Sequence, residues 1–148
     1  MGEVRDLRSA PSIRRAAASG ASVDDELVVR AEPHAPRAAR HWVMRTIAGH
    51  GVTGMANQVV ELLTAELVSN AVVHGPTGEE VRVGLRVTGP VVRVEVSDHG
   101  GGTPRVRHPE PTAPSGRGLA LVEALATDWG TMGVDGSTTV WFEVDGDA

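Results

Sequence analysis

Apolar and polar positions along the chain alternate with two different periods, and the first of these is helical. From Ala35 to about Ala48, apolar residues recur every three or four positions while arginines occupy the opposite side, which predicts an amphipathic helix. A second, longer helix is predicted from about Gly54 to His74, where Gly75-Pro76 provides a stop signal. The same spacing predicts a third helix from about Arg117 to Thr127.

The other segments have the two-residue period of strands with one solvent-facing side. Val81–Val87 and Val92–Ser97 alternate apolar with polar residues around a Gly-Pro turn, which predicts an antiparallel hairpin. A first strand is predicted at Glu26–Ala31 and a last one at Thr139–Val144. Residues 99 to 116 hold too many glycines and prolines for a regular element. The order β-α-α-β-β-loop-α-β predicts an α+β fold, a two-layer sandwich of helices on a mostly antiparallel sheet.

Length and composition narrow the class of protein. The chain has 148 residues and a mass of 15.5 kDa, which suits a single domain. Residues 1 to 24, rich in Arg, Ala, Ser and Gly, are predicted to be a disordered tail, with 25 to 148 forming the domain. A tag-like extension and a partner-binding arm are the rival interpretations of this tail. The N-terminus lacks the plan of a secretory signal and no apolar run could span a bilayer, so we expect a cytoplasmic protein.

The residue types that are missing exclude several chemistries. The absence of cysteine excludes disulfides, thiol nucleophiles and cysteine-ligated metals. All 14 basic residues are arginine, so a Walker-type phosphate loop and Schiff-base chemistry, both of which need lysine, are excluded. The net charge of -5 argues against a nucleic-acid binder that works by neutralising phosphates.

Three polar residues share one side of the second predicted helix. Glu66, Asn70 and His74 are each four residues apart, so their side chains drift by only about 40° per step. For Glu66 and His74 taken alone, a solvated stripe on an amphipathic helix is the better interpretation. Asn70 is a poor helix former in an interior position and can offer its amide oxygen to a hard cation such as Mg²⁺. A glutamate one turn earlier could then polarise a water or a hydroxyl.

Two glycine-rich motifs follow the hairpin. Asp98-His99-Gly100-Gly101-Gly102 places a carboxylate at a strand end before three glycines, which suits close approach of the backbone to a flat ligand. Gly116-Arg117-Gly118-Leu119 opens a helix, whose free N–H groups suit phosphates. Each motif alone is equally well explained as an ordinary turn or helix start.

The succession of these motifs resembles the GHKL ATP-binding superfamily, which includes gyrase and the sensor histidine kinases. Glu66–Gly75 resembles its N box, Asp98–Gly102 its G1 box, and Gly116–Leu119 its G2 box. Within the superfamily, the small size together with Trp129-Gly130 and Thr139-Val-Trp-Phe resembles most the anti-sigma-factor serine-protein kinases. The resemblance covers about residues 25 to 148 and implies the Bergerat ATP-binding fold.

The resemblance also implies roles for individual residues. Asp98 would accept a hydrogen bond from the adenine amino group, supported by Thr139. Asn70 would coordinate Mg²⁺ on the phosphates, and Glu66 would be the general base. The other implied ATP-binding residues close the backbone over the nucleotide or begin the helix beside its phosphates: Gly100, Gly102, Gly116, Arg117, Gly118 and Leu119. The segment from Thr103 to Ser115 would be the lid.

The chain departs from this family pattern in its basic residues. Relatives often carry lysine or arginine before the final-strand threonine, where this chain has Ser137 and Thr138, and before the N-box histidine, where it has Val73. Phosphate charge would therefore be met by Mg²⁺, helix N–H groups and arginines such as Arg105, Arg107 or Arg117.

Three hypotheses about function follow. The leading one is an ATP- and Mg²⁺-dependent serine/threonine protein kinase of the anti-sigma type. It would phosphorylate a small antagonist protein that competes with a sigma factor for a kinase homodimer. The alternatives are a module that binds ATP without transferring phosphate and an interaction protein that no longer binds nucleotide. A stand-alone histidine kinase is disfavoured, because nothing in the sequence supplies dimerisation helices with a phospho-accepting histidine.

Overall fold

The chain forms a layer of helices on one face of a β-sheet. The computed structural model describes residues 22–99, 117–134 and 136–147. The elements in chain order are β1 (Ser22–Arg30), α1 (Ala35–Ala48), α2 (Gly54–His74), β2 (Glu80–Thr88), β3 (Val91–Asp98), α3 (Arg117–Leu125), β4 (Asp128–Val134) and β5 (Ser137–Asp145). The fold is therefore α+β, as predicted.

The five strands pair in the order β1-β2-β3-β5-β4, and every neighbouring pair is antiparallel. β2 and β3 form the predicted hairpin, and β5 returns beside β3. In the helical layer, α1 lies over β1 and β2, and α2 lies over β3 and β5. α3 contacts α2 and β4. Among the described residues, no helix combines the length and apolar character needed to cross a membrane.

Apolar side chains at alternate positions of the strands pack against the helices and form the core between the two layers. One side of each central strand is apolar and fully buried against the helices, as the two-residue period predicts. On α2, Leu63, Leu67 and Ala71 form the buried stripe that the helical spacing indicated. The largest buried side chain, Phe142 of β5, lies in this layer.

The sequence missed one strand. β4 is an edge strand that pairs only with β5, and its sequence DWGTMGV contains two glycines and no regular alternation. Its extended form comes from pairing with β5 rather than from its own pattern. The same pairing shortens the third helix, which ends at Leu125 instead of Thr127. The backbone N–H of Thr127 donates to the carbonyl of Glu143, 2.8 Å away, and so already belongs to the sheet.

The first strand begins earlier than expected. β1 starts at Ser22, so residues 22 to 24 of the predicted tail are part of the sheet. The rest of that predicted tail, and most of the predicted loop and lid between residues 99 and 116, lie outside the described residues.

The sheet face away from the helices carries a charged network in place of a second apolar layer. Arg93 donates to Glu95 at 2.8 Å and to Glu143 at 3.0 Å, and its guanidinium lies 4.0 Å from the ring centroid of Trp141. Trp141 in turn packs on Gly130, where a Cβ atom would lie 2.8 Å from the indole nitrogen. Glu95 is 4% exposed, so its carboxylate is largely withdrawn from water although no helix covers it, whereas Arg93 and Glu143 keep part of their contact with water.

A buried asparagine joins α1 to α2. The side-chain amide of Asn57 donates to the carbonyl of Met44, 3.1 Å away, and to that of Val52, 2.9 Å away. These carbonyls belong to the last turns of α1 and to the segment that joins α1 to α2. One side chain therefore fixes how α2 leaves α1.

We expect Asn57→Ala to lower the free energy of unfolding by about 2 kcal/mol, because it removes both donors from two carbonyls at a largely buried position. Gln58→Ala, a change of similar type at the neighbouring exposed position, is the matched control and should alter stability by less than about 0.5 kcal/mol. Urea unfolding of both variants measures the difference. Equal effects would contradict the role given to Asn57.

Candidate functional site

The three polar residues of α2 lie outside the set of α2 side chains that are buried in the core. Glu66 and Asn70 are half-buried, while His74, the last residue of α2, is exposed. Within the described residues, neither Glu66 nor Asn70 makes a hydrogen bond or an ion pair, although both are partly withdrawn from water. A carboxylate and an amide one turn apart are thus available to a ligand.

The end of α2 lies directly against the end of β3. The N–H of Gly75 donates to the carbonyl of Ala71, 2.9 Å away, and closes the helix. A Cβ atom built on Gly75 would lie 2.7 Å from the Ala71 oxygen and 3.8 Å from Cγ of Asp98. Only glycine therefore fits here without movement of the backbone. The contact brings the first two sequence motifs together, although they are separated by a whole hairpin.

Asp98 lies on the helix-facing side of the sheet. It continues the series Val92, Val94 and Val96, whose side chains are buried against the helices, and it is half-buried itself. Its backbone carbonyl accepts a hydrogen bond from the hydroxyl of Ser137, 3.4 Å away. The carboxylate therefore sits at the end of a buried strand, beside the end of α2.

The register of β3 with β5 separates the two threonines of the last strand. Thr138 pairs directly with Asp98, whereas Thr139 pairs with Ser97. Thr139 is 3% exposed, and its hydroxyl lies 2.8 Å from that of Ser97, on the sheet face away from the helices. The structure therefore places Thr139 away from the Asp98 carboxylate, and Thr138 shares the face of Asp98.

The third motif is only partly described. Arg117 and Gly118 begin α3, and Leu119 packs against the core. α3 contacts α2, so its first turn belongs to the same layer as Glu66 and Asn70. Gly100, Gly102, Gly116 and the arginines Arg105 and Arg107 lie outside the described residues.

The donor set of α2 suits a hard cation that is shared with phosphates. Among the described residues, no three histidine or carboxylate side chains come together as a metal site of their own. Mg²⁺ in proteins commonly takes one or two side-chain oxygens and completes its shell with substrate phosphates and water. The amide of the half-buried Asn70, which has no side-chain hydrogen bond within the described residues, fits that kind of site.

The family model that matches the chain is that of the histidine kinase-like ATPase domain, over residues 29–144. The chain belongs to the histidine kinase-like ATPase family. The match runs from the end of β1 to the end of β5, so it includes all the elements that carry the site. The GHKL resemblance inferred from the motifs is confirmed.

A solved structure supports the fold of this histidine kinase-like ATPase. The chain is similar to the crystal structure of the RsbU and RsbW domains of Rv1364c from Mycobacterium tuberculosis, with a TM-score of 0.65 and 24% sequence identity. The alignment covers 82% of this chain and 31% of that chain. No curated protein matches the chain.

Sequence reasoning missed two features of the site, Thr138 and the close approach at Gly75. Thr138 adjoins the predicted Thr139, and only the pairing of β3 with β5 tells which of them shares a face with Asp98. Gly75 was identified as a stop signal for α2, but its contact with Asp98 depends on tertiary packing. A glycine directly after the predicted N-box histidine was the only available signal.

We expect Gly75→Ala to destabilise the domain by about 1–3 kcal/mol, since its Cβ would overlap a backbone carbonyl that cannot rotate away. Gly49→Ala is the matched control at the end of α1. Its Cβ would meet its nearest neighbour at 3.4 Å, with φ at -65°. Thermal unfolding should separate the two, with the Gly49 variant unchanged or slightly more stable. A Gly75 variant as stable as its control would disprove the tight contact.

Proposed function

We propose that the chain binds Mg-ATP between α2 and the paired ends of β3 and β5, and transfers the γ-phosphoryl group to a serine or threonine hydroxyl of a small antagonist protein. The observation that carries this proposal is the contact of Gly75 with Asp98. It joins the helix that bears Glu66 and Asn70 to the strand end that bears the carboxylate. The residues proposed to contact the base and those proposed to contact the phosphates then lie in one cleft.

The adenine end of this cleft is Asp98. Its carboxylate accepts a hydrogen bond from the exocyclic amino group of adenine, a contact that distinguishes adenine from guanine. In this proposal Thr138, the register partner of Asp98, takes the supporting position that the sequence resemblance gave to Thr139. The glycines 100, 102, 116 and 118 keep the roles that the resemblance implies.

The phosphate end of the cleft is formed by α2 and the first turn of α3. Asn70 would hold Mg²⁺ through its amide oxygen, and the N–H groups at the start of α3 would bind the phosphates, a role that the sequence resemblance also gives to Arg117. When bound, Mg²⁺ offsets the negative charge of the phosphates. Glu66, one turn before Asn70 and without a protein partner in the described residues, is placed to accept a proton.

The transfer itself needs mainly positioning. The acceptor hydroxyl oxygen forms a bond to the γ-phosphorus as the bond from that phosphorus to the bridging oxygen of ADP breaks. Glu66 takes the hydroxyl proton and ADP leaves. Since the chain offers no lysine, this small domain achieves charge stabilisation through arginine, backbone N–H groups and the cation.

The regulatory part of the proposal is an anti-sigma system. The unphosphorylated antagonist competes with a sigma factor for a homodimer of this chain, and phosphorylation releases it. Support comes from the motif resemblance and from the likeness of the fold to the RsbU and RsbW domain structure.

A second candidate function is an ATP-binding regulatory module that moves no phosphate. Ser137 favours it, because its hydroxyl lies directly before the supporting threonine of this proposal, where related proteins often have a basic residue. Tight ATP binding without ADP production or transfer would select this alternative.

The central test is calorimetric titration with ATP and ADP, with and without Mg²⁺, followed by transfer of labelled phosphate to candidate antagonist proteins. Asp98→Asn should abolish binding of ATP. The amide of asparagine is neutral, and its NH₂ group donates hydrogen bonds where the carboxylate only accepts them. Glu66→Gln should keep ATP affinity within about threefold and reduce transfer by about 10²-fold or more. Transfer by Glu66→Gln at the wild-type rate would contradict the kinase proposal.

The two threonines provide a sharper test of the adenine end. We expect Thr138→Val to weaken Mg-ATP binding by about tenfold, equivalent to one lost hydrogen bond. Thr139→Val should leave that affinity unchanged and lower the free energy of unfolding by about 1 kcal/mol, since it removes the bond to Ser97. Calorimetry and urea unfolding measure the two effects. The reverse pattern would return the adenine role to Thr139.

A further inference from the structure

The outer side of α2 carries apolar side chains that the core does not use. Met55 is 73% exposed, Leu62 38% and Val73 62%. They are seven and eleven residues apart, so at 3.6 residues per turn they lie within about 20° of one another around the helix. We call these three residues the α2 ridge. Single exposed apolar residues are common, but three of the five large ones exposed in the described chain lie on this line.

Glu66 lies on the same line. It follows Leu62 by four residues and precedes Val73 by seven, which places its side chain between them on the helix surface. A protein that delivers a hydroxyl to the Glu66 carboxylate therefore has to lie against Leu62 and Val73 as well. The ridge is continuous with the proposed catalytic carboxylate.

The neighbouring helix gives this surface a charged border. α1 contains three arginines and no acidic residue. Arg40 lies 3.7 Å from Glu61 of α2, whereas Arg37 and Arg45 are exposed and form no ion pair within the described residues. Within the described residues, these two arginines therefore leave positive charge on the exposed part of α1, in a chain whose net charge is -5.

The pairing of the two helices sets the level of these cations along the ridge. Around α1, Arg37 lies about 60° and Arg45 about 140° from Arg40, which faces α2, so Arg37 is the nearer of the two to the ridge. Met44 is level with Asn57 and Arg40 with Glu61, as expected for antiparallel helices. Arg45 is therefore level with the Met55 end of the ridge, and Arg37 lies further toward its Val73 end. Both helices cover the same sheet face, so their outer sides point in the same direction.

We propose that the α2 ridge, with Arg37 and Arg45 beside it, is the docking surface for the phospho-acceptor protein. The segment that docks presents apolar side chains around its hydroxyl and carboxylates along the flank that lies over α1. Burial of Leu62 and Val73 supplies affinity, and the arginines set the orientation that brings the hydroxyl to Glu66. This inference rests on the proposed kinase function, since it assigns the acceptor to the surface around Glu66.

The test uses a displayed peptide library with a fixed central serine and randomised flanks, selected on the whole chain loaded with Mg-ADP. The peptides retained should be enriched in apolar and acidic residues. Their affinity, measured by fluorescence anisotropy, should fall at least about tenfold in the double variant Leu62→Gln/Val73→Gln, which removes two apolar contacts. Leu125→Gln, the same change at a leucine that is 43% exposed on α3, is the matched control and should have no effect.

Charge reversal tests the orientation. The variant Arg37→Glu/Arg45→Glu should lose the acidic peptides and retain matched peptides in which lysine replaces the acidic residues. The variants Arg37→Glu/Arg45→Glu and Leu125→Gln should bind Mg-ATP with unchanged affinity, because none of these three residues belongs to the nucleotide cleft or to the N box. Retained peptides that bind the ridge variant as well as the wild type, or a selection that retains none, would overturn the proposal.

Two further outcomes separate this inference from the proposed function. Transfer of labelled phosphate to the selected peptides at equal rates by wild type and ridge variant would overturn the docking surface and leave the kinase intact. Ridge-dependent peptide binding without any transfer would support the docking surface and contradict the kinase. Sedimentation tests whether a second copy of this chain occupies the ridge. If Leu62→Gln/Val73→Gln turns a dimer into a monomer, the ridge is a dimer interface and the proposal is wrong.

Discussion

Burial of α2 against β3 and β5 is the interaction on which the rest of the molecule depends. The stripe of Leu63, Leu67 and Ala71 packs into the apolar layer that contains Phe142, and this fixes the rotation of the helix about its own axis. Once that rotation is fixed, Glu66 and Asn70 lie at the border of the cleft and the apolar ridge faces outward. A change in how α2 packs would move Glu66, Asn70 and the α2 ridge together.

Local patterns were sufficient for the elements that build this contact. The bounds of α1 and α2 were predicted from apolar spacing and glycine stops, and the β2–β3 hairpin from alternation around a turn. Each of these signals lies within a single stretch of chain. Glu66, Asn70 and Asp98 could be selected as candidates for the same reason, because residue type and position within one element were enough.

The features that the sequence did not predict are all set between distant segments. β4 is extended because β5 pairs with it, although its own residues carry little strand pattern. The choice between Thr138 and Thr139 depends on the register of β3 with β5, where a shift of one residue exchanges the two faces. The contact of Gly75 with Asp98 needs the hairpin to fold back under α2. No motif within a single stretch of sequence indicates that two such distant residues lie close together.

The indole of Trp141 occupies the space that a side chain on Gly130 would fill, and Arg93 covers its other side. The chain has no tyrosine, and two of its three tryptophans, Trp42 and Trp129, pack against the core. Trp141 is thus an intrinsic optical reporter on the sheet face opposite the nucleotide cleft. Arg93 lies 4.0 Å from its ring centroid, so a partner that binds this face would change the surroundings of the indole directly, whereas the proposed nucleotide site is on the other side of the sheet.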